Sequence, residues 1–343
     1  MTRDDATGDV ADDSPDGRGT DRDPVDDATL ALLLEVAGTP KPGNVDRRRD
    51  LGDLRFESFL GGAVGAREGL ELAGSGEASV GDAFERAVAG MADRAGTNTQ
   101  FGCLLLLVPL LRATVAGDDP SADRPPSSLT PAAVDRVTRE TTVDDAVAFY
   151  RAFEHVDVAV ADPPAGATDL DVRRGSDAAP ALRERAMTLR DVMAISARSD
   201  GSGDPDEVPD RNAQEWVGGF PRTFRAAEWI RTDTGPLTDR AARAFLGLLA
   251  AEPDTLVAAT HGPETAREAS ARAAALLDGA GIGTDGLAVA ADLDVAAVHG
   301  ADLDAAEALA TAFVDEGINP GTTADLTCAA LYVALRRGAG VAP

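Results

Sequence analysis

An all-α fold, one large multi-helix domain with buried central helices, is predicted from three observations. Apolar residues recur at three- and four-residue spacing wherever a period is visible. One segment, Phe101 to Val115, is apolar on every side, as a helix at the centre of a bundle must be. No run of alternating polar and apolar residues finds a second run to pair with.

The elements follow in order. Residues 1–25 are acidic, lack an apolar h-region and read as a disordered tail ahead of a domain spanning 26–343. Asp27 to Val36, with leucines at 30, 32, 33 and 34, predicts a largely buried first helix. Phe56, Phe59, Leu60 and Val64 predict a second helix of about 18 residues. Phe84, Val88 and Met91 stripe a third, which stops at Gly96. The buried segment 101–115 comes next, then a polar Pro-rich loop, Gly117 to Ser128. Thr130-Pro131 restarts a helix as N-cap and first-turn proline. Further helices are predicted at about 142–154, 188–199, 212–232, 237–251, 262–279, 303–315 and 322–337. Residues 156–187 and 200–211 are rich in Gly, Asp and Pro and read as loops, the latter a surface insertion, with Val156 to Val160 a short strand candidate.

Composition narrows the function. The formal charge of −27 over 343 residues repels phosphate backbones and anionic lipid, so nucleic-acid and membrane binding are disfavoured. The longest apolar run is interrupted by Pro109 and is too short to span a bilayer, which points to a cytoplasmic protein. The acid-rich surface suits a halophilic cytoplasm, where carboxylates hold hydration water. Cys103 and Cys328 fall in apolar helical runs and read as small buried hydrophobes. The three histidines, His155, His261 and His299, are not at ligand spacing.

Of the 32 basic residues, 31 are arginine; the exception is Lys41, in LEVAGTPKPGNVDRRRD. A compact ammonium between two prolines suits a phosphate better than a planar guanidinium does, against the alternative of chance retention. Three more polar stretches fall beside helix ends: Gly96-Thr97-Asn98-Thr99, Glu252-Pro253-Asp254-Thr255, and Asn319-Pro320-Gly321-Thr322-Thr323-Ala324-Asp325. Taken singly, each is ordinary capping chemistry or a first-turn acid. Together with Lys41 they suggest a phosphate-rich ligand held at helix N-termini. Scattered carboxylates would serve Mg²⁺, which prefers one or two of them plus ligand phosphates. No P-loop, GxGxxG or nucleophile elbow is present.

These stretches, with RFESFLGGAV, TLRDVMAISARSD and PDTLVAATHG, resemble in order and spacing the triphosphoribosyl-dephospho-CoA synthase (CitG-like) family, in what looks like an archaeal branch. The resemblance covers roughly 27–338. It implies an all-helical transferase that joins the ribose C1′ of ATP to a hydroxyl of 3′-dephospho-CoA and releases adenine. The product would be the prosthetic-group precursor of citrate lyase or malonate decarboxylase carriers. ATP as substrate and Mg²⁺ are implied with it. Candidate nucleotide-binding residues are Lys41, Gly43, Arg48, Gly96, Thr97, Asn98, Thr99, Asn319, Gly321, Thr322 and Thr323. Asp50, Asp254 and Asp325 are candidates for the base, and Asp50, Asp53 and Asp254 for the metal. Two departures stand out. Bacterial members read S-H-K-D-M-D after PKPG where this chain has Arg48-Arg49-Asp50, and N-T-H-K-G where it has Asn98-Thr99-Gln100-Phe101-Gly102. Other readings are a relative with a different acceptor, a nucleotide-binding regulator without catalysis, and a plain helical scaffold.

Overall fold

The computed structural model describes residues 22–116, 129–160, 167–198, 208–277, 293 and 295–341. Among these the fold is all-α, with seventeen α-helices and no strand beyond two isolated bridges, Asp46 with Arg49 and Leu51 with Leu54. Of the predicted tail 1–25, residues 1–21 lie outside the described residues, as do the Pro-rich loop 117–128 and residues 200–207 of the predicted insertion, whereas Pro24 and Val25 already belong to the first helix.

The first helix, α1, spans Pro24–Ala37. It starts three residues earlier than predicted because Asp23 caps it, its carboxylate accepting the Val25 N–H at 2.8 Å, and Pro24 needs no N–H there. The single helix predicted from Phe56 is two, α2 (Phe56–Gly65) and α3 (Arg67–Ser75). They meet where the chain crosses α4 (Val80–Ala95). A Cβ on Gly65 would lie 2.1 Å from the Gly90 carbonyl oxygen, and one on Gly90 would lie 2.2 Å from that of Gly65. Only two glycines let these backbones touch.

The buried segment is α5 (Phe101–Ala116), with Pro109 inside it. It is followed by α6 (Pro131–Arg139), capped by Thr130 as expected, and α7 (Val143–Ala152), which opens with a Thr142–Asp145 capping box. The stretch predicted as loop, 156–187, holds 3₁₀ turns at Thr168–Leu170 and Val172–Ala178 and a short helix, α8 (Ala179–Glu184). Tyr150 holds this stretch by donating to the Leu170 carbonyl at 2.6 Å. The polar composition hid a segment anchored by scattered residues rather than by a periodic stripe.

Next come α9 (Leu189–Ser196), α10 (Arg211–Gly218) and α11 (Pro221–Thr232). The last two were predicted as one helix. Pro221 disfavours helical backbone at the residue before it, and Gly219 and Phe220 turn through positive φ instead. Then follow α12 (Leu237–Ala251), α13 (Thr255–His261), α14 (Pro263–Ala274), α15 (Val295–His299), α16 (Leu303–Glu316) and α17 (Gly321–Arg336).

Helices α5 and α17 form the centre, with 12 of 16 and 13 of 16 residues buried. They are tied by the Thr114 and Tyr332 hydroxyls at 2.8 Å. α1 and α11 pack on α17, and α4 on α5. The N-termini of α5 and α17 therefore lie side by side, which positions the site.

The Gly65–Gly90 crossing makes a clear expectation. Gly90→Ala should destabilise by about 1–3 kcal/mol, because the added methyl overpacks a backbone contact and outweighs alanine's better helix propensity. Chemical denaturation in molar KCl measures it, and an unchanged midpoint would contradict the crossing.

Candidate functional site

A cavity of about 610 Å³ opens where the N-termini of α5, α10 and α17 meet the C-terminal end of α1. One side is polar, with Glu35, Asn44, Thr97, Asn98, Thr99, Asn212, Asn319, Thr322 and Asp325. The other is apolar and aromatic, with Phe101, Phe149, Tyr150, Phe153, Val192 and Met193. Phe101 meets Phe153 edge-on at 4.8 Å, and Phe149 meets Phe153 at 5.2 Å, which fixes the ring positions.

The turn 38–46 supplies the polar floor. Asp46 is fully buried and organises it, accepting from Thr39 Oγ1 at 2.7 Å, the Lys41 N–H at 3.3 Å, the Arg48 N–H at 2.8 Å and Arg49 Nη1 at 2.9 Å. Lys41 is 0 % exposed. Its Nζ donates to the buried Glu35 carboxylate and to Asn44 Oδ1 at 3.4 Å. Asn44 Nδ2 in turn reaches Asn319 Oδ1 at 3.1 Å, joining the two most distant polar motifs of the chain. Gly43, at φ +70°, lies against the Ile318 carbonyl.

The predicted residues divide sharply. Thr97, Asn98, Thr99, Asn319, Gly321, Thr322 and Asp325 line the cavity together. Lys41 does not; its ammonium lies behind the wall and reaches the cavity through Glu35. Arg48 is 58 % exposed and faces Glu307 of α16. Gly96 is the exposed left-handed cap that ends α4, and Gly43 is structural in the same sense. Thr323 points away from the cavity and donates to Asp254 Oδ2, through both its N–H and its hydroxyl, at 2.7 Å.

Asp254 Oδ1 accepts the N–H groups of Leu256 and Val257, so its buried carboxylate is filled by four donors as the N-cap of α13. Asp50 is exposed, accepts the Phe56 N–H at 2.8 Å and faces Arg55. Asp53 is exposed in the same turn. Asp50, Asp53 and Asp254 are thus absent from the cavity wall, and among the described residues no three Asp, Glu, His or Cys side chains converge as a metal site. The three carboxylates do not fit a shared Mg²⁺, since Asp254 has no lone pair to spare and the other two serve a surface turn.

Asp325 differs from them. It stands at the start of the second turn of α17, on the cavity wall, with Asn212 Nδ2 donating to Oδ2 at 2.8 Å and Cys103 Sγ donating to Oδ1 at 3.3 Å. Gly102 makes room for it, because a Cβ there would lie 1.9 Å from Oδ2. Desolvation pushes Asp325 up to about 7, against these two hydrogen bonds and with help from the negative charges of Glu35 and Asp254. Burial likewise raises Glu35 while Lys41 opposes it. The Cys103 thiol is held far above its ordinary range by its hydrogen bond with Cys328 and by burial. Both cysteines are buried and free, as expected. Cys103 is also a polar partner of the site, which the apolar run around it concealed.

Sequence reasoning missed Glu35, Asn44, Cys103 and Asn212. Glu35 carried a signal, a lone acid in the run Leu32-Leu33-Leu34-Glu35-Val36. Asn212 follows an insertion predicted as surface, yet Val208, Pro209 and Asp210 also line the cavity. Among the described residues Arg198 is the basic side chain on the wall.

Residues 22–341 match the protein family described as "CitG: ATP:dephospho-CoA triphosphoribosyl transferase". None of the curated proteins matches. Among solved structures, one named as a candidate triphosphoribosyl-dephospho-CoA synthase from Archaeoglobus fulgidus is similar, with a TM-score of 0.56 and 21 % identity. The similarity covers 81 % of this chain and 99 % of that one and shows a shared fold.

The buried ion pair yields a test. Lys41→Met should destabilise by about 3–5 kcal/mol at neutral pH, because it strands the Glu35 carboxylate in the interior. The double variant Lys41→Met/Glu35→Gln should recover most of that loss in denaturant titrations. Full stability of the single variant would show that Glu35 does not depend on Lys41.

Proposed function

Because this chain belongs to the triphosphoribosyl-dephospho-CoA synthase (CitG) family of transferases, we propose that it joins C1′ of the ATP ribose to a hydroxyl of 3′-dephospho-CoA and releases adenine. The observation that carries this reading is Asp325, a carboxylate at the cavity wall poised near neutral pH between two donors.

The residues suit the chemistry. The acceptor hydroxyl passes its proton to Asp325 as its oxygen bonds to C1′; adenine leaves with the electrons of its bond to C1′ and takes up a proton from solvent, to which Asp325 later returns its own. Positive charge builds at the ribose ring in such a displacement, as in glycoside chemistry, and Glu35 on the wall faces it with negative charge balanced by Lys41. Phosphates find Thr97, Asn98 and Thr99 at the start of α5, Gly321 and Thr322 at the start of α17, and the guanidinium of Arg198. The face formed by Phe101, Phe149 and Phe153 offers a stacking surface for an adenine ring. Mg²⁺ would arrive with ATP, neutralising phosphate charge, rather than on a protein carboxylate cluster. Carriers of the citrate lyase or malonate decarboxylase type would use the product.

The reading is tested by incubating the protein with ATP, Mg²⁺ and dephospho-CoA in molar KCl and quantifying adenine by chromatography. Adenine formed only with acceptor supports it. ATP binding with no adenine from dephospho-CoA would instead favour a binding protein or another acceptor.

Asp325→Asn should lower kcat by about 10²–10⁴-fold. In the unsubstituted protein the rate should rise with pH through about 7, as Asp325 ionises. Stability runs the other way. A carboxylate raised from 3.8 to about 7 keeps its proton longer when folded, so its contribution is most favourable below about 4 and declines as pH climbs towards 7. Asp325→Asn should therefore be more stable than the parent at pH 8 and nearly equal to it at pH 4, by thermal unfolding. Equal melting temperatures at pH 8 would contradict the strained carboxylate.

A further inference from the structure

Asn212 has an unusual pattern of contacts. It stands in the first turn of α10, 9 % exposed, where the Asp210 cap and the Arg211 N–H bond to Thr255 Oγ1 hold the backbone still. Its Nδ2 donates to Asp325 Oδ2, while its Oδ1 is buried with no hydrogen-bond partner among the described residues. An orphan amide oxygen in the interior is destabilising, and most such groups are satisfied.

Protonation of Asp325 offers that oxygen a partner. A proton on Oδ2 would face the Asn212 NH₂, donor against donor. Rotating the amide by half a turn about its Cβ–Cγ bond brings Oδ1 to Oδ2, where it accepts the new O–H. Asp325 Oδ1 then becomes the carbonyl oxygen and keeps the Cys103 thiol donor it already has. In this state Asn212 Oδ1 and both Asp325 oxygens have partners, and the Asn212 NH₂ takes the place that Oδ1 has left.

We propose that Asn212 is a positioning residue that follows the proton on Asp325, its amide donating to the carboxylate before proton transfer and accepting from the carboxylic acid after it. The role of Asp325 as base rests on the proposed function; the coupled rotation does not. Other groups facing Asp325 cannot substitute for it. Glu35 from α1 is neutralised by Lys41, Asp254 is filled by its four donors, Cys103 from α5 occupies the other oxygen, and Cys328 lies on the same helix hydrogen-bonded to Cys103. Among the described residues, Asn212 is the partner of Oδ2 that carries both a donor and a free acceptor.

Two measurements test this. In ¹⁵N NMR spectra of the full chain, the Asn212 side-chain NH₂ signals should titrate with the same midpoint as the ¹³C-labelled Asp325 carboxyl, and that titration should vanish in Asp325→Asn. Signals of Asn212 that stay fixed from pH 5 to 9 while Asp325 titrates would overturn the proposal, whatever reaction the protein catalyses. In adenine-release assays, Asn212→Leu should move the ascending pH limb up by no more than about one unit, since it removes a hydrogen bond from both forms of Asp325 and the bond to the ionised form is the stronger. A limb moved up by about two units or more in a folded, active Asn212→Leu, as the loss of a donor to the ionised form alone would give, would also overturn it. No acceptor-dependent adenine from the unsubstituted protein would refute the base assignment and leave the NMR titration to decide the rotation.

Discussion

The site depends on one buried ion pair, Lys41 with Glu35. Two charges removed from water each carry a desolvation penalty of several kcal/mol, repaid only by close contact and by further hydrogen bonds. That requirement fixes the turn 38–46 against the end of α1, with Asp46 gathering four donors to hold the turn's shape. It also answers why a chain of arginines keeps a lysine here. The interior space at Nζ admits a point charge with Glu35 and Asn44 as partners, and a planar guanidinium would bring five donors to a place with acceptors for two or three.

From that anchor the rest follows by satisfaction of buried polar groups. Asn44 reaches Asn319, so the first polar motif locates the last. Asp254 spans the N-terminus of α13 and the first turn of α17, holding α17 in register. With α17 fixed, Asp325 falls opposite Gly102, the residue of α5 that leaves room for it. Several predicted ligand-binding residues are thus the frame of the cavity rather than its lining, and their polarity serves folding.

The helical class, the buried α5 and the polar breaks beside helix ends were all legible in the sequence, because periodicity and capping act over a few residues. Thr130 caps where it was expected to, and Thr142 and Thr188 cap helices that were predicted to begin at those residues. The breaks in α2–α3 and α10–α11 were less legible, since the first comes from a glycine contact 25 residues away in sequence. Lys41, Asp50 and Asp254 show the limit for the site. Sequence reveals that a residue is polar and near a helix end, but whether its lone pairs or protons are already used depends on partners such as Glu35 or Thr323 that only the fold supplies. Glu35 and Asn212 were missed for the converse reason, each lying in a segment whose neighbours dictated its classification.

Asp325 shows where the fold invests strain. Its preference for the neutral form, from 3.8 to about 7, corresponds to roughly 4 kcal/mol against folding once it is ionised. A structure selected for stability alone would fill this position with an apolar side chain, as it does along the rest of α17, where Leu326, Cys328, Ala329, Ala330 and Leu331 are buried. Instead the carboxylate is kept, placed on the wall of a cavity, and given one thiol and one amide donor, too few to bring it down to the usual carboxylate range. Asp254, equally buried, receives four donors and no opening to the cavity. The same residue type is therefore treated in two ways within one network: saturated where it holds helices together, and left short of partners where it can take a proton.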